Sequence, residues 1–207
     1  MKAYTCVCGN NADLFAEVDK IYPFAGKTVV DATYGKGIFW RKLDMTTFNL
    51  IPFDIAPRFV YVRQADLREI PLENESADVV VLDPPYKPDA GKTTLHEGTY
   101  KNRETTKGMN YEALKALYGD GIKEGGRLLK PCGLLMVKCQ DLVHSGKQHR
   151  SSIYIWSVAA HYGLDDQDQF ILCNGRPPIQ HKKQKHARKN HSVLWVFKKG
   201  KNAWKEY

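Results

Sequence analysis

Four carboxylates in this chain each fall at or near the end of a short apolar run: Asp31, Asp54, Asp66 and Asp83. Asp83 is the most informative of them. Val79-Val80-Val81-Leu82 is a β-branched run that reads as a buried strand, and it stops at Asp83-Pro84-Pro85-Tyr86. Prolines lack the ladder donor and fix φ, so they end the strand and stiffen the turn. Asp83 and Tyr86 are then held at a strand's C-terminal end, the edge at which open α/β sheets bind ligands. A carboxylate and a flat ring presented on a rigid turn suit a planar, amino-bearing group, and a nucleobase is the group expected.

The other acids need positioning elements of their own. Lys27-Thr28-Val29-Val30-Asp31 reads as a first buried strand. It runs into Ala32-Thr33-Tyr34-Gly35-Lys36-Gly37 and then a plausible helix over 38–43. Gly35 and Gly37 permit positive φ and close approach of a ligand to the backbone. At a helix N-terminus the turn would also offer N–H groups to a carboxylate or phosphate. A bare G-x-G serves structural tight turns as well, and the G-x-G-x-x-G of dinucleotide sites is incomplete because Trp40 holds its third position. That weakens a nicotinamide-dinucleotide reading.

Asn49-Leu50-Ile51-Pro52-Phe53-Asp54 is a second candidate strand, shortened or weakened by Pro52. Asp54 lies 23 residues after Asp31 and is placed to accept the hydroxyls of a ribose; alone it would read as a helix cap. Residues 60–67 form a third short element ending in Asp66 and Leu67. Asp66 can accept from an exocyclic amine of a purine; alone it would read as a surface acid.

The remaining pattern alternates helix and strand. Asn10 or Asn11 caps a helix over 12–21 with Leu14, Phe15 and Val18 on one face. A helix over 110–129 carries Gly119, Gly121, Gly125 and Gly126, which threaten to break it. Residues 133–139 and 169–173 read as buried strands, 151–161 as a helix with Ile153, Ile155, Trp156 and Ala159 inward, and 192–197 as the last strand. Residues 87–110 lack periodicity, and a long loop directly after the Asp83 turn reads as a mobile substrate loop. Residues 174–191 form a basic loop; 181–191 alone hold four Lys, one Arg and three His. Lys87, Arg176, Lys182, Lys183, Lys185, Arg188 and Lys189 are the candidates to grip a phosphate backbone, although such runs are often only solvated loops.

Composition agrees with a nucleic-acid partner. There are 31 Lys+Arg against 23 Asp+Glu, a formal charge of +8, which favours a polyanion and also fits plain solubility. Cys6, Cys8, Cys132, Cys139 and Cys173 are an odd, scattered set without disulfide or zinc-ligand spacing, and the His residues are widely spaced in a Lys-rich loop, so no metal site is read. No signal peptide and no membrane-spanning run is read, so a soluble cytoplasmic protein is expected. The length suits one domain occupying 1–207 with no separate target-recognition domain. Target reading would then fall to the two loops, to a homodimer or to a recognition partner. A short or relaxed target and salt-sensitive binding are expected.

Taken together these residues resemble a family. Asp83-Pro84-Pro85-Tyr86 resembles the D-P-P-Y motif of the S-adenosylmethionine-dependent amino methyltransferases, chiefly the DNA N6-adenine enzymes, with N4-cytosine relatives using a close variant. Asp31-Ala32-Thr33-Tyr34-Gly35-Lys36-Gly37 resembles their first motif, usually D-x-F-x-G-x-G, with Thr33 standing where Phe is usual. Asp54 and Asp66 fall where the family has its ribose-binding and adenine-contacting acids. The resemblance covers about 31–197 and implies a Rossmann-like α/β fold, a seven-stranded, mostly parallel sheet closed by an antiparallel terminal hairpin. It also implies S-adenosylmethionine as cofactor, held by Asp31, Ala32, Thr33, Gly35, Gly37, Asp54, Asp66 and Leu67. Asp83 and the Pro84 carbonyl would bind the target amine on the turn stiffened by Pro85, and Tyr86 would stack on a flipped base. Cys132 precedes the 133–139 strand rather than following the Asp83 strand, so it reads as structural and not as a nucleophile. DNA is favoured. An RNA guanine-N2 or adenine-N6 enzyme and a non-catalytic nucleic-acid-binding subunit remain the alternatives.

Overall fold

The computed structural model describes residues 2–87, 109–144, 146–173, 185–187 and 189–201. Its strands are β1 (Cys6–Cys8), β2 (Thr28–Asp31), β3 (Asn49–Asp54), β4 (Arg63–Gln64), β5 (Ala77–Leu82), β6 (Leu129–Cys139), β7 (Leu142–His144), β8 (Lys147–His149), β9 (Leu164–Cys173) and β10 (His191–Lys199). The helices are α1 (Asn11–Asp19), α2 (Tyr111–Leu128) and α3 (Ser151–His161). Eight strands form one sheet in the order β1-β9-β10-β6-β5-β2-β3-β4, and β7 and β8 form a separate hairpin. Within the large sheet only β10 runs against its neighbours, β6 and β9. This is the expected mostly parallel sheet with its antiparallel terminal hairpin. The eighth strand, β1, adds to the β9 edge in parallel, pairing Cys8 with Cys173.

Strands buried on both faces need apolar residues at every position. In β2, β5 and β6 the side chains divide accordingly. Val29, Val79, Val81 and Met136 pack against Leu14, Phe15 and Val18 of α1 together with Phe24, Phe39 and Trp40. Val30, Val80, Leu82, Leu135 and Val137 pack on the other face against Leu114, Tyr118 and Ile122 of α2 and Ile155 and Ala159 of α3. Asn10 caps α1, accepting from the Ala12 and Asp13 N–H groups while Asp13 accepts from the Asn10 N–H, a reciprocal pair that fixes the start of the helix.

The helix glycines do not break α2. A Cβ at Gly121 would stand 2.3 Å from Leu67 Cδ1, and one at Gly125 would stand 2.7 Å from Leu135 Cδ1. These positions are bare because the helix lies that close to Leu67, in the connection after β4, and to Leu135 of the sheet. For Gly125→Ala, better helix propensity gains about 1 kcal/mol, while overpacking costs about 1–3 kcal/mol. Leu135 is fully buried, so its methyl group can give way only by displacing other core side chains. A net loss of about 1 kcal/mol is expected in a urea melt; an unchanged or raised midpoint would show that Leu135 has room.

Several expectations are corrected. The stretch after Gly37 is a short 3₁₀ turn, Ile38–Lys42, not an α-helix, so the helix N-terminus argument for anion binding there falls away. A tight turn is what allows adjacent Phe39 and Trp40 both to be buried in the same cluster. In α3, Ile155 and Ala159 face the core, but Ile153 and Trp156 are 61% and 44% exposed. Residues four apart share a helix face, and those two lie off it. Cys132 lies within β6, exposed and with φ 65°, in an irregularity near the Ala77 end of β5. That is the end of the sheet opposite Asp83. No described helix is long and apolar enough to cross a membrane.

Candidate active site

The chain order reverses between β2 and β5. β3 and β4 extend the sheet on one side of this pair, and β6, β10 and β9 extend it on the other. A crevice opens at such a switch point, outside the carboxyl ends of the strands. Asp31 is the last residue of β2, in register with Val81, and Asp83 follows the last residue of β5. The two acids therefore meet at the reversal, and Asp54 ends the adjoining β3.

Hydrogen bonds lock the turn after β2 to these strand ends. Asp31 is fully buried and accepts from Trp40 Nε1 at 2.8 Å and from the Thr33 N–H at 3.0 Å. Thr33 Oγ1 in turn accepts from the Asp83 N–H at 2.7 Å. Asp54 accepts from the Gly35 N–H and the Ala56 N–H, both at 2.8 Å. Gly35 and Gly37 have φ of 55° and 62°, the left-handed region that favours glycine. Thr33 is thus the residue that ties the first motif to Asp83, which a Phe at that position would not do.

Burial pushes the Asp31 carboxyl up to about 7; the donors from Trp40 and Thr33 oppose the rise, and the charges of Asp83 and Asp54 add to it. The folded chain holds this proton more tightly than the unfolded one. The stability that follows is full below the ordinary value of 3.8 and is lost as pH rises toward 7. A carboxyl titration by ¹³C NMR, assigned with Asp31→Asn, is expected to show a midpoint near neutrality; a midpoint in the ordinary range would contradict the burial.

Around Asp83 the structure shows a group that sequence reading missed. Tyr86 donates its hydroxyl hydrogen to Asp83 Oδ1, and the Lys138 ammonium donates to Tyr86 Oη. Lys138 Nζ also lies 3.8 Å from Asp83 Oδ1 and 4.8 Å from the Tyr86 ring centroid. Lys138 stands near the end of β6, the strand beside β5, where Leu82 pairs with Val137. Its side chain is only 3% exposed. The signal in the sequence was a lysine interrupting the apolar run Leu134-Leu135-Met136-Val137 just before it should end.

Other expected site residues are placed less centrally. Asp66 lies two residues beyond β4, and its carboxylate is gripped by Arg68 through Nε at 2.9 Å and Nη2 at 2.6 Å. Leu67 is buried against α2. Pro84 is buried and Pro85 exposed. Of the basic candidates, Lys87 and Lys185 are exposed and Lys189 is half-buried. Arg176, Lys182, Lys183 and Arg188, with 88–108 of the expected substrate loop, lie outside the described residues.

The fold is that of Rossmann-like methyltransferases. No family model matches the chain, and no curated protein matches it. Solved structures do match. A candidate RNA methyltransferase from Pyrococcus horikoshii is 12% identical, with a TM-score of 0.57 over 92% of this chain and 84% of that one. A candidate methyltransferase from Bacillus halodurans is 12% identical, with a TM-score of 0.55 over 90% of this chain and 98% of that one. A candidate DNA modification methylase from Thermus thermophilus is 19% identical, with a TM-score of 0.46 over 69% of this chain, which spans 53% of that protein's length. That Thermus protein has been crystallised with S-adenosyl-L-methionine.

Proposed function

We propose that this chain is an S-adenosylmethionine-dependent methyltransferase acting on the exocyclic amine of a nucleobase in DNA, with adenine N6 as the first target. The observation that carries this reading is Asp83: a carboxylate only 13% exposed, on a proline-stiffened turn, at the switch point of a methyltransferase fold and hydrogen-bonded to the Tyr86 hydroxyl beside it. The neighbouring residues fit the cofactor. Asp54 keeps lone pairs for a ribose diol after accepting its two backbone bonds, and Gly35, between Asp31 and Asp54 in the chain, leaves its backbone open to close approach, whereas Gly37 is buried under the Tyr34 ring. When bound, the cofactor supplies an electrophilic methyl group on its sulfonium.

The chain's own residues must make a poor nucleophile attack. The lone pair of an exocyclic amine is delocalised into the base. Asp83 accepts one amine N–H and the Pro84 carbonyl the other, which favours a pyramidal nitrogen with its lone pair directed out of the ring. Once the nitrogen carried the methyl group, its extra proton would pass to Asp83 or to water. Positioning and electrostatics supply the rate enhancement, with no covalent intermediate on the protein. The Tyr86 ring fixes the base plane, and such stacking contributes about 1–3 kcal/mol.

RNA is the second reading, because a candidate RNA methyltransferase shares the fold over 92% of this chain. Incubation with methyl-labelled cofactor and either DNA or RNA, followed by mass spectrometry of the nucleosides, separates the two. N6-methyladenine in DNA is the expected product. N4-methylcytosine would keep the mechanism and change the base, N2-methylguanine in RNA would move the chain to the second reading, and no methylated nucleoside from either polymer would overturn both.

A further inference from the structure

We propose that Lys138 is a positioning residue of this site: its ammonium holds Asp83 in the ionised, accepting form and retains the Tyr86 hydroxyl when a substrate amine displaces that hydroxyl from Asp83. The inference rests on the reading of Asp83 as the amine acceptor.

The geometry points to a shared three-member device rather than a simple ion pair. Asp83 Oδ1 is already taken by the Tyr86 hydroxyl. A substrate amine that docks on this oxygen displaces the hydroxyl. Lys138 already donates to Tyr86 Oη, with Nζ 4.8 Å from the ring centroid. It can therefore keep Tyr86 in place after the exchange, with the ring still oriented to stack. A buried cation is retained only where charge and hydrogen bonds compensate its lost hydration. Here the compensating groups are the two residues assigned to the substrate base.

The charges facing Asp83 single out Lys138. Asp31 comes from β2, Tyr118 from α2, Cys139 and Lys138 from β6, and Tyr86 from the same turn. Among these, Lys138 alone is cationic. Burial raises the Asp83 carboxyl above its ordinary value; the Lys138 charge and the Tyr86 hydrogen bond oppose the rise. Without Lys138 the carboxyl would hold its proton to higher pH and stop accepting from the amine.

The test is the pH dependence of kcat for the wild type, Lys138→Met and Lys138→Arg, with thermal melts alongside. The carboxylate is the active form, so activity rises with pH through the Asp83 titration. Lys138→Met is expected to move this acid limb upward by about one unit or more, with about a tenfold loss at pH values below the wild-type limb that recovers as pH is raised. Lys138→Arg is expected to keep the limb near its wild-type position. A Lys138→Met profile parallel to wild type, whether lower or unchanged, would overturn the proposal. If Lys138→Met does not fold, Lys138→Gln takes its place. The Asp83 ¹³C-carboxyl titration makes the same comparison without turnover: an upward shift in Lys138→Gln supports the proposal, and an unmoved midpoint removes it. A wild-type chain inactive on DNA and RNA would overturn the methyltransferase reading, while this titration would still decide the Lys138–Asp83 coupling.

Discussion

Asp83→Ala is expected to lower kcat for methyl transfer by about 10³-fold or more while leaving cofactor affinity close to wild type. A positioned proton acceptor contributes about 10²–10⁴-fold, and here the same carboxylate also sets the direction of the nucleophile's lone pair. The cofactor side should survive because Asp83 reaches it through its backbone: its N–H, not its carboxylate, donates to Thr33 Oγ1. Alanine keeps that N–H. Asp83→Asn is the informative companion. Its amide oxygen still accepts, but it carries no charge for Lys138 to pair with, so an intermediate rate is expected. Single-turnover incorporation of labelled methyl, with calorimetric cofactor binding on the same samples, reads both quantities. Undiminished transfer by Asp83→Ala would sink the proposed mechanism. A parallel collapse of cofactor binding would show instead that the turn had been disrupted.

The parts of the fold that sequence reading captured are those set by local rules. The run Val79-Val80-Val81 could only be a buried strand, and Asp31 and Asp54 close β2 and β3 because charged residues are excluded from strands covered on both faces. What it missed depends on residues distant in sequence. Lys138 becomes part of the site because β6 pairs with β5 in one register, with Leu82 opposite Val137. A shift of one residue would have put its side chain on the other face. The glycines of α2 read as helix breakers until Leu67 and Leu135 are known to lie against them. β1 escaped notice as a sheet member because three residues carry almost no periodic signal, and its place is set by pairing with the far end of the chain. The 3₁₀ turn after Gly37 is likewise a tertiary result: Trp40 must reach Asp31 while Phe39 packs on Phe15.

That last contact links the core to the site, and Phe15→Ala tests it. Phe15 is fully buried in α1. Its ring stacks on Phe39 at 4.1 Å between centroids and on Phe24 at 5.9 Å, and meets Trp40 edge-on at 5.3 Å. Truncating a buried Phe costs about 3–5 kcal/mol. In a chain of this length that lowers the melting temperature by on the order of 10 °C. The effect should not stop at stability. Trp40 donates to the carboxylate of Asp31, and with Phe15 gone its indole loses one wall of its seat. The Nε1 bond to Asp31 would then be made by only a fraction of molecules, and the Gly35–Gly37 turn that leads from Asp31 to Trp40 would loosen. Cofactor affinity is therefore expected to fall in Phe15→Ala even at temperatures where the variant is fully folded. Phe15→Leu fills most of the volume and should recover most of both losses. Calorimetric titration of cofactor well below the melting transition distinguishes the two effects. An affinity equal to wild type would detach the aromatic cluster from the site and leave Asp31 held by the Thr33 N–H and the strand itself.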